Sequence, residues 1–322
     1  MTASVLVRSA TPADVSAIFE QIRALAEYER LLHEVIGSAI ALEQHLFGSL
    51  PYVEALIAEL AGKPVGFALY FRNYSTLTMQ PGIYLEDLFV QPTVRGQGVG
   101  KALLSSLAQR VLDRQWEHLN WAVLDWNEPA IAFYRRIGAE ISEDARICRL
   151  TGAALAQLAA QQTTVTRLAT ATDLKTVAAL VEAHISAEGG SYRGDSDLLK
   201  QHLFGSQPYA ETIVVEQDGN IAGLALFCTS YSTFLTQPGL YVEDLFVWPQ
   251  YQGQGLEIAL LAAVAQQAID RACGRLEWGV CTWNQAAIRL YERLGAVIMP
   301  DWRRCTLSAT ALSQLAASLE QS

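Results

Sequence analysis

The chain has 322 residues, of which 51% are hydrophobic and 17% charged, and it carries a formal net charge of −10 at pH 7. This length predicts two domains of roughly 150 to 160 residues each, and the composition is typical of a well-packed soluble protein. The negative charge argues against a nucleic-acid partner. Because no apolar run approaches the ~18 to 20 residues that a membrane helix needs, the sequence also predicts no membrane partner.

In the first half of the chain, short strands alternate with amphipathic helices. Thr11 is the predicted cap of the first helix, with Pro12 in its first turn and Asp14 near its positive end. Asn127 is the predicted cap of a later helix, which stops at Gly138. The predicted order is a strand at 4–8, a helix at 11–27, a short helix at 41–47, strands at 53–59, 64–73 and 83–90, a helix at 98–115, a strand at 118–124, a helix at 127–138, a strand at 139–150 and a short helix at 151–161. This order predicts an α+β fold, with a mixed, mostly antiparallel central sheet flanked by helices.

The second half of the chain repeats the first at a distance of 157 residues. The matching segments are 42–52 with 199–209 (9 of 11 positions identical), 74–90 with 231–247 (12 of 17) and 126–139 with 283–296 (8 of 14). This period is far longer than the ~20 to 50 residues of solenoid and propeller repeats. The duplication therefore predicts tandem domains at 1–160 and 165–322, with a linker at 161–164.

A glycine-rich loop, RGQGVGK from Arg95 to Lys101, lies between a predicted strand and a predicted helix. Glycines let the backbone approach an anion closely, and the free N–H groups and dipole of a helix N-terminus favour negative charge. The loop is not a Walker motif, because Ala102 stands where Ser or Thr would hold magnesium, and its GxGxG spacing differs from GxGxxG. The segment therefore predicts a site for a phosphate-bearing ligand.

The surroundings of this loop resemble the acetyl-CoA site of the GNAT acetyltransferases. Arg-x-x-Gly-x-Gly follows a long strand, and Trp-Asn and Phe-Tyr follow at 126–127 and 133–134. The resemblance covers about 4–150, and YLEDLFV, WNEPAIAFY and LAEYER are similar to the spermidine/spermine N-acetyltransferase branch, which includes thialysine acetyltransferases. By this resemblance the protein is an acyl-CoA-dependent N-acetyltransferase built from two GNAT-type domains.

The resemblance implies acetyl-CoA as the co-substrate and no metal, and the five scattered histidines likewise indicate no metal motif. The backbone of Phe89 and Val90 would meet the pantetheine arm, where the strand splays from its neighbour. Asn127 and Arg136 would support the cofactor from the following helix. The residues that would hold the pyrophosphate are Arg95, Gly96, Gln97, Gly98, Val99, Gly100 and Lys101.

Acetyl transfer to an amine needs a base and an acid. An alkylammonium with a pKa of about 10.4 must lose a proton before it attacks, and the departing thiolate must gain one. The resemblance places the phenol of Tyr134 beside the thioester sulfur, where it would act as the acid. The alternative is that Tyr134 is a core aromatic next to Phe133.

Glu86 and Asp87 interrupt the apolar strand at 83–90. Buried carboxylates are costly unless they are paired or useful, so the alternative is a solvated strand end. Strict alternation would send the two side chains to opposite faces, although a bulge would alter that. We predict that Glu86 deprotonates the amine through a water and that Asp87 holds the cationic acceptor. By resemblance, Tyr28 and Glu29 would add to the acceptor pocket.

The second copy is altered in its cofactor loop and in its acceptor helix. Gln252 replaces Arg95, and Glu257 replaces Gly100, which brings a negative charge to the expected pyrophosphate position. The Tyr-Glu pair of LAEYER has no match at the same spacing. The matching positions that are retained are Tyr241, Glu243, Asp244, Asn284, Tyr291 and Arg293. We expect a second domain that binds acetyl-CoA poorly or takes a different acceptor, and that packs on the first as an intramolecular pseudo-dimer, as the homodimers of this branch do.

These features predict transfer of an acetyl group to the primary amine of a small cationic acceptor, such as a polyamine, a diamine or a lysine-like compound. The reaction would be a direct attack in a ternary complex, mainly in the N-terminal domain. Two alternatives remain open: a protein or peptide N-acetyltransferase, and a non-catalytic acyl-CoA sensor or scaffold. The five cysteines are odd in number and lack CxxC spacing, which favours reduced thiols in the cytoplasm.

Overall fold

The structure is a computed structural model that describes residues 4–162, 166–192 and 194–318. Residues 163 and 164 of the predicted linker lie outside these ranges, as does residue 319, where the sequence predicts the end of a last helix at 308–319. The first repeat contains β1 (Val5–Ser9), α1 (Val15–Tyr28), α2 (Ala39–Phe47), β2 (Glu54–Leu60), β3 (Lys63–Ser75), β4 (Gln80–Val90), α3 (Val99–Asp113), β5 (His118–Leu124), α4 (Glu128–Arg136), β6 (Glu140–Ile141), β7 (Ala145–Thr151) and α5 (Gly152–Ala159). The second repeat contains β8 (Thr166–Leu168), α6 (Leu174–Ala187), α7 (Ser196–Phe204), β9 (Glu211–Gln217), β10 (Asn220–Ser232), β11 (Gln237–Val247), α8 (Leu256–Asp270), β12 (Arg275–Cys281), α9 (Gln285–Arg293), β13 (Val297–Met299), β14 (Trp302–Leu307) and α10 (Ala309–Ala317).

Local sequence signals account for most of these boundaries. Thr11 and Asp14 form a capping box around a short 3-10 turn that leads into α1. The side chain of Asn127 accepts a hydrogen bond from the Ala130 N–H at the start of α4, as the sequence predicted. One prediction was wrong: the single strand expected at 139–150 is divided into β6 and β7, which belong to different sheets.

The strands form two seven-stranded sheets, which confirms the α+β class. The first sheet has the order β1-β2-β3-β4-β5-β14-β6, and the second has the order β13-β7-β12-β11-β10-β9-β8. The β4–β5 and β11–β12 pairs are parallel, whereas the other pairings of described strands are antiparallel. Helices α3 and α8 each cover one face of a sheet, and their apolar residues form the largest cores.

The two repeats exchange their last strand and helix. Strand β14, from the end of the second repeat, lies between β5 and β6 of the first sheet, and β7, from the first repeat, lies between β12 and β13 of the second. The helices follow their strands, so that α10 packs against α3 and α5 packs against α8. The sequence repeats 1–160 and 165–322 are therefore not self-contained domains, because each sheet is completed by the other repeat.

A short connection leads from each repeat's own sheet to the strand that it exchanges. Only residues 142–144 separate β6 from β7, and only 300–301 separate β13 from β14. Each connection is held where it crosses, since the Thr282 N–H donates to the Asp144 carbonyl and the Asp125 N–H donates to the Asp301 carbonyl, both at 2.7 Å. The crossings place residues of the second repeat beside the first active site.

A second contact between the repeats runs through paired aromatic side chains. The His45 ring nitrogen Nδ1 lies 3.0 Å from the Tyr231 hydroxyl oxygen, and the His202 Nδ1 lies 3.3 Å from the Tyr74 hydroxyl. These contacts are related by the repeat. In the part of the chain that the structure describes, no helix is both long enough and apolar enough to span a bilayer.

Candidate active site

The glycine-rich loop leaves its backbone open at the start of α3. Gly96 and Gly98 have φ values of +79° and +86°, and a side chain is strained in that region. A Cβ at either position would meet no atom within 4 Å, so the loop borders open space at both glycines. The loop therefore offers free N–H groups at a helix N-terminus, which suits the pyrophosphate of acetyl-CoA.

Arg95 at the head of the loop is anchored by backbone and aromatic contacts. Its Nε donates to the Val90 carbonyl at 3.0 Å, and its guanidinium carbon lies 4.8 Å from the centre of the Tyr28 ring. The Tyr28 hydroxyl in turn donates to Oδ1 of Asn127 at 3.1 Å. These contacts join the acceptor helix, the cofactor loop and the cap of α4 into one wall.

The parallel strands β4 and β5 separate next to this wall. They pair from Gly82 to Leu85 with His118 to Trp121, and the pairing stops there although both strands continue. The gap exposes the backbone of the second half of β4, which includes Phe89 and Val90. This geometry is the splay that the sequence resemblance implied, and it gives the pantetheine arm an edge with which to pair.

A β-bulge places both carboxylates of β4 on the same face. The β3–β4 register shifts after Leu85, and the next paired residue is Asp87, so Glu86 is the extra residue. Leu85 and Leu88 both pack in the core beneath α3, whereas Glu86 and Asp87 both line the cavity on the opposite side. The structure therefore contains the bulge that the sequence analysis named as the alternative to strict alternation.

Asp87 is buried and its charge is only partly compensated. It is 5% exposed, and its Oδ2 has no hydrogen-bond partner among the described residues. Burial, reinforced by the nearby Glu86, raises the pKa of Asp87 well above its ordinary value. Burial and Glu86 also raise the pKa of Glu29, to about 7. This end of the cavity therefore contains two carboxyl groups, of Asp87 and Glu29, that form no ion pair with the described residues.

Glu86 is paired with an arginine of the second repeat. Arg275, at the start of β12, donates from Nη2 to the two carboxylate oxygens of Glu86 at 2.9 and 3.2 Å. Arg275 also forms an ion pair with Glu277 at 2.9 Å, and Glu277 accepts from Nε of Arg149 at 2.7 Å. Burial raises the pKa of Glu86, and this effect is larger than the opposing effect of the positive charges of Arg275 and Arg149. The predicted base is thus held in one orientation by the other repeat.

Tyr134 lies on the buried face of α4 and lines the same cavity. Its ring packs edge-on against Trp121 at a centroid distance of 4.9 Å. Burial raises the pKa of the phenol, with smaller contributions from Cys305 and Glu29, so the group stays protonated at neutral pH. A protonated phenol is the state that a general acid requires.

A continuous cavity of about 1630 Å³ connects these groups. Every predicted site residue lines it except Gln97, whose neighbours in the loop do. The second repeat also lines the cavity, with Thr233, Phe234, Cys273, Arg275, Glu277, Met299 and Trp302. Sequence reasoning missed these residues. The only sequence signal for a special role of Arg275 and Glu277 was that these charged residues stand where the first repeat has His118 and Asn120.

The second repeat keeps much of the cofactor loop geometry. Gly253 and Gly255 have φ values of +75° and +80°, and Nε2 of Gln252 donates to the Val247 carbonyl at 3.0 Å, just as Nε of Arg95 donates to Val90. A Cβ at Gly100 would meet its nearest atoms at 3.7 and 3.9 Å, which is ordinary contact. The protein around this position therefore has room for a Cβ, and Glu257 adds a negative charge there.

One expectation about the second acceptor helix needs correction. The sequence comparison at a spacing of 157 indicated that both members of the Tyr-Glu pair were missing. In the structure α1 and α6 are both 14 residues long, and their C-caps are Glu29 and Glu188. The glutamate is retained and only the tyrosine is lost, to Ala187, because the repeat spacing in this helix is 159.

Comparisons with known proteins agree with this site. The sequence profile of the acetyltransferase (GNAT) family matches residues 22–139 and 177–296. The chain is 39% identical to the thialysine N-epsilon-acetyltransferase of Sus scrofa over 168 residues, which cover 49% of this chain and 98% of that protein. It is 30% identical to the L-ornithine N5-acetyltransferase of Arabidopsis thaliana, over 46% of this chain and 85% of the relative.

Solved structures reproduce the tandem arrangement. A tandem GNAT protein from the clavulanic acid biosynthesis pathway aligns with a TM-score of 0.52 at 16% identity, covering 95% of this chain and 99% of the other. A GCN5-related N-acetyltransferase from Sphaerobacter thermophilus aligns with a TM-score of 0.53 at 18% identity, over 95% and 96% of the two chains. At these identities the likeness concerns the fold, and it extends over both repeats.

Proposed function

Because the chain belongs to the GNAT family of acetyltransferases, we propose that its first active site transfers an acetyl group from acetyl-CoA to a primary amine of a small cationic acceptor. The observation that carries this proposal is the shared cavity, in which the open glycine loop and Tyr134 meet the carboxyl groups of Glu29 and of Asp87, whose Oδ2 has no partner among the described residues. An acceptor ammonium would supply the cation that these carboxyl groups lack.

The residues of the cavity divide into a cofactor end and an acceptor end. Arg95, the loop amides and Lys101 would hold the pyrophosphate, with Asn127 and Arg136 at the flank and the β4 edge along the pantetheine. Asp87, Glu29 and Tyr28 would bind the acceptor. Acetylation of thialysine and ornithine by the named relatives supports an acceptor with an amine on a short flexible chain.

The proton transfers would be divided between Glu86 and Tyr134. Glu86 would take a proton from the ammonium through a water, and the neutral amine would then form the N–C bond to the thioester carbonyl. As the C–S bond breaks, Tyr134 would give its proton to the thiolate sulfur, and the second proton of the amine would restore the phenol. Of the two protons that the amine loses, one leaves through Glu86 and the other ends on the thiol.

The test is thiol release from acetyl-CoA by the full-length chain, with and without spermidine, putrescine, thialysine, ornithine or a lysine peptide. We expect turnover with a small amine, a decrease of at least about 100-fold in Tyr134→Phe, as is typical for loss of a general acid, and full activity in the matched Tyr291→Phe. Turnover only with the peptide would replace the proposal with peptide acetylation. Acetyl-CoA binding without turnover on any amine would favour a sensor.

A further inference from the structure

The counterpart of the acceptor pocket in the second repeat already contains a positively charged side chain. Asp244 matches Asp87 in the repeat, and Glu188 matches Glu29 at the helix C-cap. Between them lies His184, whose Nδ1 is 2.8 Å from Oδ1 of Asp244 and whose Nε2 is 3.6 Å from Oε1 of Glu188. Both ring nitrogens face carboxylates, and this arrangement suits an imidazolium that donates from both sides.

The surroundings keep this ring charged. Asp244 is 3% exposed, and its Oδ1 also accepts from the Thr76 hydroxyl at 3.1 Å, while its Oδ2 has no partner among the described residues. Burial opposes the positive charge, but the hydrogen bond to Asp244 and the ion pair with Glu188 overcome this effect and raise the pKa of His184 to about 10. Glu243 lies near the same ring, and Arg304 is a second cation there, since Arg304 and His184 both lower the pKa of Glu243 against the larger effect of burial.

The first repeat has an aliphatic residue at this position. Leu25 is the eleventh residue of α1, as His184 is of α6, and it lines the cavity beside Asp87 and Glu29. A leucine side chain cannot donate to a carboxylate, so the two carboxyl groups of the first pocket stay available. One substitution therefore distinguishes an acceptor pocket without a cation from one that is neutralised from within.

We propose that His184 occupies, in the second repeat, the place that the amine acceptor takes in the first, so that the second acceptor pocket is closed to cationic ligands by the protein itself. The inference rests on the proposed function of the first site. It makes His184 a specificity determinant, and it predicts one amine site per chain. It differs from the defect at Glu257, which acts on the cofactor, because the pocket would stay closed even if acetyl-CoA were bound.

The test measures amine binding to the full-length chain by calorimetry in the presence of saturating CoA, with thialysine and spermidine as probes. We expect one amine per wild-type chain, no detectable binding in Asp87→Asn, and one site again in Asp87→Asn/His184→Leu. The matched control combines Asp87→Asn with His33→Leu, since His33 is exposed on a short turn, and it should not restore binding. Two sites in the wild type, or none in the His184 double variant while the wild type binds one, would overturn the inference.

The reciprocal change installs the cation in the first pocket. Leu25→His should raise the KM for the amine at least tenfold and leave the KM for acetyl-CoA within twofold, whereas the uncharged control Leu25→Gln should change the amine KM less. Equal effects of His and Gln would contradict a role for the charge.

A nuclear magnetic resonance titration of the His184 ring separates this inference from the proposed function. If the wild type neither binds nor acetylates any probe, the proposed function fails, and the titration then decides the inference by itself. A ring that stays charged to about pH 9 and loses this property in Asp244→Asn would support the internal cation, whereas titration near the ordinary value of 6.5 would refute it.

Discussion

At the residue scale, the carboxyl group of Glu29 would make the proposed acceptor pocket sensitive to pH near 7. Burial and the neighbouring Glu86 raise its pKa to about 7, so the group is neutral below that pH and charged above it. Because the raised pKa reflects a cost of ionisation in the folded state, Glu29 makes the fold slightly less stable as pH rises from its ordinary value through 7. A bound ammonium would compensate that cost and lower the pKa again.

We therefore predict that amine binding weakens as pH falls through 7, and that Glu29→Gln removes this dependence. At pH 8 the substitution should weaken the amine Kd on the order of tenfold, the effect of losing one charge-assisted hydrogen bond. Calorimetric titration between pH 6 and 8.5 measures both effects. Glu27→Gln is the matched control, since Glu27 is exposed outside the cavity, and an equal loss in this variant would contradict a specific role for Glu29.

Two effects oppose each other at Glu86. Burial raises the pKa of its carboxyl group, and the positive charge of Arg275 lowers it. We predict that Arg275→Gln raises the pKa of Glu86 and thereby shifts the acidic limb of the kcat/KM profile to higher pH, with a lower plateau. Glu86 must be deprotonated to act as a base, so the shift must be upward. Thiol-release rates from pH 5.5 to 9.5 measure it, with Arg167→Gln as a control that breaks an ion pair outside the cavity. An unchanged limb would mean that Glu86 is not the titrating base.

At the element scale, the loop before α3 and its copy before α8 share a backbone and differ in charge. The dipole of each helix favours an anionic ligand at its N-terminus, and Glu257 places a competing carboxylate in the first turn of α8. The space at Gly100 accepts a Cβ at ordinary contact distances. This element therefore separates the effects of bulk and charge in one position.

We predict that Gly100→Ala changes the Kd for acetyl-CoA less than about threefold, and that Gly100→Glu weakens it at least tenfold. Two like charges about 4 Å apart repel by ~4 kcal/mol at an effective dielectric of 20, and salt screens part of this energy. Calorimetry at low and high ionic strength measures both variants in the full-length chain. An equally large loss in Gly100→Ala would show that bulk dominates.

The bulge in β4 is a second feature at the element scale, and it sets the direction of two carboxylate side chains. It is repeated in β11, where the register shifts between Leu226 and Phe227 and Glu243 becomes the extra residue. Both copies therefore turn an adjacent Glu-Asp pair toward one face. A strand without the bulge would point one of the two carboxylates into the apolar core beneath α3 or α8, at a large desolvation cost.

At the scale of the whole molecule, the exchange of β7 and β14 makes the two repeats depend on each other. The first sheet without β14 would expose an unpaired edge of β5, and α3 would lose the apolar cover of α10. The first active site would also lose Arg275, which comes from the core of the second sheet. Loss of the second cofactor site would therefore not make the second repeat dispensable.

We predict that residues 1–160 alone form a homodimer that exchanges β7 between copies, because this exchange completes each sheet as β14 does in the intact chain. Light scattering coupled to size exclusion would show twice the monomer mass. Amine acetylation should be at least tenfold slower than in the full chain, since His118 replaces Arg275 near Glu86. A folded monomer with full activity would contradict the dependence of the first site on the second repeat.

The sequence alone determined the features that local chemistry fixes: the duplication, the α+β order of elements, the helix caps, the glycine loop and the resemblance that singled out Tyr134, Glu86 and Asp87. These features depend on residues close together in the chain, where spacing and residue type are enough. The two sheets confirmed the fold class, and the sequence profile of the acetyltransferases confirmed the family.

Only the tertiary structure decided which repeat completes which site. The exchange depends on whether residues 142–144 fold back as a hairpin within one sheet or cross to the other sheet. The local sequence carries no signal of that choice, because in both cases each sheet receives an equivalent strand, either its own or the one from the other repeat. The pairing of Glu86 with Arg275 and of Asp244 with His184 follows from the same long-range packing, as does the matching of Glu188 with Glu29. Charges 60 to 189 residues apart in sequence come within hydrogen-bonding distance, and their burial then sets the pKa values that the sequence could not supply.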